Sequence, residues 1–322
     1  MDTITNISSF YCINPDKLRK HYKKHSSGFA TWNQKNHSED YMIFPENIGP
    51  FLSIDEVSLS KGELYTFVTN KNGRGKRGSM VASIKGTLSK DIINVLEKLS
   101  LSARQQVEEV TLDMAKNMES AVRAVFPNCR LVTDRFHVVR LSMEALQHMR
   151  VKQRWEELDK ENAAIEEAKK NKVKYEPIIL ENEDTPKQLL ARCRYILAKK
   201  PSDWTESQKQ RSFILFREYP HLRKAYEHTL EFRNIYEQQS INSAKHMFTQ
   251  WIEKTHKLEL KAFYTVANTV NNNLDNILNF FINRNTNANA ESFNSKIKLF
   301  RANQRGVVDT QFFLFRLHKL FA

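Results

Sequence analysis

The chain has 322 residues, with 50 Lys and Arg against 37 Asp and Glu, a formal net charge of +13 and 40% hydrophobic residues. That length allows one large domain with an insertion, or two domains, and the basic surplus favours a polyanionic partner, nucleic acid first. The cysteines, Cys12, Cys129 and Cys193, form no CxxC pair, which argues against a zinc ribbon or a disulfide framework. The start lacks a signal-peptide pattern and no apolar run nears the ~18 residues of a membrane span, so a cytoplasmic, non-membrane protein is expected.

Residues 1–48 are polar and basic, and DKLRKHYKKH reads as a short helix. From Phe51 the pattern changes. FLSIDEVSL, LYTFVTNK and SMVASIKG read as three strands rich in β-branched and aromatic residues. KNGRGKRG, between the second and third, has hairpin chemistry and puts Arg74, Lys76 and Arg77 near the tip. SKDIINVLEKL is a helix by the spacing of Ile92, Val95, Leu96 and Leu99, with Ser89 as its cap. VEEVTLD is a strand, AKNMESAVRAVF a helix stopped by Pro127, and CRLVTD another strand. The order β-β-β-α-β-α-β predicts a mixed α/β fold with an RNase H-like sheet.

Beyond Phe136 strand signals are nearly absent. Val138, Leu141, Ala145 and Met149 start a helical stripe that EELDKENAAIEEAKKNK extends as a charged, exposed helix. KYEPIILENEDTP is a loop, and helices are predicted over 186–199, 204–218, 220–237, 241–254 and 258–282. The expected layout is a basic segment at 1–48, a first core part at 49–135, an all-helical insertion at 136–282, and C-terminal helices at 283–322 that complete the core.

Asp55 and Glu56 lie inside an apolar strand and point to opposite faces, and the sequence leaves the choice between them open. A charge there is costly unless paired or metal-bound, or unless the strand lies at an edge. Asp113 and Asp134 each end a strand before a helix, which suits a helix cap and equally a ligand site at strand ends. In the proposed order the strands of Asp55 and Asp113 are neighbours. Glu291 shares a helix face with Asn294, Ser295 and Lys298, opposite the stripe of Phe293, Ile297 and Phe300. The plainer alternative there is a solvated amphipathic helix.

At SIDEVSL, LDMAKNM, VTDRFHVVR and NAESFNSKIKLFR the chain resembles the catalytic core of bacterial insertion-sequence DDE transposases of the ISL-three type, from about Phe51 to the C-terminus. The resemblance implies an RNase H-like fold interrupted by a helical insertion, and DNA cleavage with strand transfer at transposon ends. It assigns catalysis and metal binding to Asp55, Asp113 and Glu291, and gives Asp134 and His137 a supporting role near the scissile phosphate. It implies a homodimer or larger assembly acting on double-stranded DNA. Relatives carry an N-terminal zinc-binding and helix-turn-helix region, so a separately encoded DNA-binding subunit is a further expected partner.

Carboxylate ligands suit two Mg²⁺ or Mn²⁺ ions. Expected phosphate contacts are Arg74, Lys76, Arg77, Asn294, Lys296, Lys298, Arg301 and Arg305. Two other readings stay open: a structure-specific RNase H-like nuclease or resolvase, and an inactive DNA-binding regulator.

Overall fold

The computed structural model describes residues 4–60, 62–304 and 307–322. The chain divides into two compact units, Met1–Asp134 with Asn285–Ala322, and Arg135–Arg284.

The first unit opens with helices α1 (Ile4–Phe10) and α2 (Pro15–His21). Then come β1 (Tyr41–Ile43), β2 (Phe51–Ser60), β3 (Glu63–Asn70), β4 (Met80–Lys85), α3 (Ser89–Leu96), α4 (Leu101–Gln105), β5 (Glu109–Leu112), α5 (Lys116–Val125) and β6 (Arg130–Thr133). The second unit holds α6 (Arg135–Lys170), α7 (Pro186–Arg192), α8 (Glu206–Glu218), α9 (Pro220–Ile235), α10 (Ile241–Lys257), α11 (Lys261–Asn272), α12 (Leu274–Leu278) and α13 (Phe280–Asn283). The chain returns to the first unit with α14 (Ala288–Asn303) and α15 (Thr310–Phe321).

The sheet is mixed, in the order β1-β4-β3-β2-β5-β6. β1, β4, β3 and β2 pair antiparallel, while β2, β5 and β6 pair parallel. Period-two alternation sorts the side chains into two cores. Leu52, Ile54, Val110 and Leu112 pack with Ile92 and Leu96 of α3 and with Met118 and Val122 of α5. Val57, Leu59 and Phe67 pack with Phe293 and Ile297 of α14 and with Phe313 and Leu317 of α15.

Several local expectations differ from the structure. β1 has no counterpart in the sequence reading, because three residues carry too short an alternation; burial of Met42 against the sheet holds it there. The polar N-terminal stretch contributes Phe29, Trp32 and Phe44 to the α14–α15 core. Ser89 is not the cap of α3: Leu88 holds that position, and Ser89 Oγ donates to Asn117 O at 2.7 Å. The helix expected over 258–282 is three helices, α11 to α13, broken at Asn273 and Asn279. Asn273 turns its amide back on Thr269 O at 2.8 Å, which competes with helix continuation.

In the second unit His228 is 1% exposed, stacked on Trp251 at 4.4 Å, with Nε2 2.7 Å from Thr255 Oγ1. Burial, then the Lys254 charge, pushes its pKa down to about 4, with the Glu231 carboxylate 3.8 Å away. The folded state therefore keeps His228 neutral where the unfolded chain protonates it. Its stabilising contribution is complete above about pH 6.5, falls as pH drops below that value and levels off near pH 4. The expected loss is about 3 kcal/mol. Denaturant melts of wild type and His228→Gln from pH 7 to 4 check it: the difference between them shrinks with falling pH. No helix among the described residues is long and apolar enough to cross a membrane.

Candidate functional site

The parallel half of the sheet aligns the strand acids. Ser53 pairs with Thr111, and Leu112 with Thr133. Asp55 and Asp113 each lie two residues beyond that first pair, and Asp134 one beyond Thr133. The three acids therefore occupy one level across β2, β5 and β6, at the C-terminal ends of β5 and β6, where open α/β sheets bind ligands. Asp113 caps no helix, since α5 begins at Lys116 with Ala115 as its N-cap. Its Oδ1 instead accepts from the Met114 amide at 2.6 Å. Asp134 is buried, and its amide donates to Leu112 O at 3.0 Å.

Alternation separates Asp55 from Glu56. Asp55 shares its face with Val57 and Leu59, which pack under α14. Glu56 is exposed on the other face. Burial, then the charges of Asp55 and Asp113, raises the Glu56 carboxyl above its ordinary value, so a negative field gathers at this end of the sheet.

α14 meets Asp55 directly. Asn294 is 7% exposed and its Nδ2 donates to Asp55 Oδ2 at 2.6 Å, while Asp55 Oδ1 accepts from the Glu56 amide at 2.8 Å. Asn294 was expected as a DNA contact; in the structure it orients a carboxylate. Glu291 and Asn294, three residues apart, lie on one stripe of α14, and Asn287 is its N-cap. Glu291 is half-buried in the first turn and makes no ion pair among the described residues. Asn294→Ala removes the donor on Asp55. The expected result is a stability loss of about 1–2 kcal/mol, which a thermal melt beside wild type measures.

Lys71 belongs to the site although no sequence motif marks it. It is 7% exposed, and its ammonium donates to Glu109 Oε1 at 3.1 Å and to Thr111 Oγ1. Its carbonyl accepts from Asn289 Nδ2 of α14 at 3.1 Å. One residue thus ties the strand of Asp113 to the helix of Glu291. Burial lowers the Lys71 pKa, against the opposing pull of Glu109 and Asp134. The hint in the sequence was a polar set, Glu109 and Thr111, on the face of β5 that also carries Asp113.

The β3–β4 hairpin docks on the same helix. Lys296 Nζ donates to Gly75 O at 2.6 Å, so its ammonium is spent on the hairpin. Gly75 has φ +63°, and a Cβ there would meet that Nζ at 3.2 Å. Arg74, Lys76, Arg77 and Lys298 are exposed, as the phosphate-contact reading requires. Arg301 is half-buried and donates to Ser58 O at 3.2 Å. Arg305 lies outside the described residues. His137 is half-buried in the first turn of α6, in the second unit.

Among the described residues no three or more His, Cys, Asp or Glu side chains are gathered as a metal site. The donor set still fits a hard divalent cation with its waters. Its acids carry oxygen ligands only, and Ser53 Oγ, Asn294 Oδ1 and both polar atoms of the Asn287 amide are buried without hydrogen-bond partners.

Acids aligned across a mixed sheet, met by an acid-bearing helix that returns after a helical unit, are what the resemblance to transposases leads one to expect. A family model described as Transposase, of the DDE and ISL3 type, matches residues 52–317. The chain belongs to that family. It is also 23% identical over 274 residues to the transposase for insertion sequence element IS1001 of Bordetella parapertussis, across 84% of this chain and 61% of that protein. The chain thus spans about three fifths of the length of this curated relative.

Proposed function

We propose that the chain is the catalytic part of a DNA transposase, with an RNase H-like core that cleaves transposon ends and joins them to target DNA. The observation that carries this reading is the Asn294–Asp55 hydrogen bond, which brings the Glu291 stripe of α14 onto the face of the strand acids. Asp55, Asp113 and Glu291 would hold Mg²⁺ or Mn²⁺, with Asp134 behind them. A bound divalent cation supplies Lewis-acid stabilisation of charge at the reacting phosphate.

The chain's own residues do the rest. Asn294 fixes the rotamer of Asp55, and the Met114 amide fixes Asp113. Arg74, Lys76, Arg77 and Lys298 bind phosphates along the duplex. In the first reaction water attacks the end phosphodiester, its oxygen joins phosphorus and a 3′-OH departs. In the second, that 3′-OH attacks a target phosphodiester, one P–O bond forms and one breaks, and the target's 3′ oxygen leaves.

The test is incubation of the chain with a duplex carrying the element's end sequence, target plasmid and Mg²⁺. Cleaved ends together with strand-transfer products support the reading. Cleavage alone favours a nuclease, and metal-independent DNA binding without any product favours a regulator.

A further inference from the structure

The helical unit carries three guanidiniums in one place. Arg150 and Arg154 are one turn apart on α6, and Arg194 follows the end of α7, which packs against α6. Gln147 links them. Its Oε1 accepts from Arg150 Nε at 2.7 Å and its Nε2 donates to Arg194 O at 3.0 Å. Arg150 is 6% exposed and also donates to Leu190 O at 2.9 Å. Its hydrogen-bond partners are neutral. Among the described residues none of the three guanidiniums has a carboxylate partner, whereas Arg140 pairs with Glu144 and Lys160 with Glu157 on the same helix. Arg154 Nε is buried with no hydrogen-bond acceptor.

A buried donor without an acceptor and a buried cation without an anion are both costly, and a single bound anion would relieve both. Burial, then the charges of Arg194 and Arg154, lowers the Arg150 pKa, the direction expected where like charges crowd. Arg194 is exposed and lies over the ring of exposed Tyr195, 5.5 Å from its centroid, so the outer side of the cluster faces solvent. Planar forks of donors beside an aromatic ring suit a phosphodiester.

We propose that Arg150, Arg154 and Arg194 form a phosphate-binding site of the helical unit that holds the backbone of duplex DNA. Arg150 forms the buried floor, while Arg154 and Arg194 make the contacts. The choice of duplex DNA rests on the transposase reading.

The experiment measures affinity of the full chain for a fluorescent duplex against salt concentration, for wild type, Arg154→Ala/Arg194→Ala and Arg154→Lys/Arg194→Lys. Arg150 is left in place because it is part of the packing. The alanine pair is expected to weaken binding on the order of tenfold and to reduce the salt slope by about 1 per guanidinium, with an unchanged melt. The lysine pair restores the slope and part of the affinity. Lys209→Ala, which breaks a surface pair with Glu206 in the same unit, serves as the charge control and leaves the slope unchanged. If wild type binds and the alanine pair binds equally with the same slope, the site is overturned. If wild type itself binds no duplex, the DNA reading fails first.

Discussion

Under the proposed function, Asp55→Ala and Asp113→Ala are each expected to abolish metal-dependent cleavage of an end duplex, by on the order of 10³-fold or more, with DNA binding retained. The magnitude follows from the several kcal/mol that a divalent cation contributes to a phosphoryl-transfer transition state. Binding persists because the proposed phosphate contacts lie on other residues. Glu291→Ala is expected to give a loss of the same kind. Glu56→Ala is the discriminating control: Glu56 neighbours Asp55 in sequence but lies on the opposite face of β2 from α14, so it keeps most activity. Single-turnover cleavage with Mg²⁺ and with Mn²⁺ measures all four variants. Full activity in Asp55→Ala with loss in Glu56→Ala would reverse the assignment.

The second large effect is on stability. Lys71→Met leaves Glu109, 1% exposed, as a buried carboxylate that has lost its ammonium partner, and destabilises the first unit by about 3–5 kcal/mol. Lys71→Met combined with Glu109→Leu removes both charges and recovers most of that loss, because a buried ion pair is worth little against well-packed apolar side chains. Urea unfolding of the wild type, both single variants and the pair forms a double-mutant cycle. A pair as unstable as Lys71→Met alone would show that the ammonium does more than neutralise Glu109, for instance through Thr111.

Much of this architecture was legible because it is written in short-range patterns. The alternation in FLSIDEVSL and LYTFVTNK, the helical spacing of Ile92, Val95 and Leu96, and the Gly-rich KNGRGKRG turn each need only a few consecutive residues, and β2, β3, α3 and the hairpin follow them. β1 was not legible, since three residues owe their strand state to pairing with β4. The breaks at Asn273 and Asn279 were not legible, because residues 258–282 contain no Gly or Pro to mark a stop.

The candidate acids divide in the same way. Their residue types, and the places of Asp55 inside a strand and of Asp113 and Asp134 at strand ends, were present in the order of amino acids, as was the resemblance that the match over residues 52–317 bears out. The choice of Asp55 as the acid facing α14, the turning of Asn294 from surface contact to carboxylate partner, and the burial of Lys71 were not. Those depend on contacts across 239, 38 and 218 residues of chain. Local propensity acts over a turn or a strand, whereas the direction of a hydrogen bond and the desolvation of a charge are set only when distant segments close on one another.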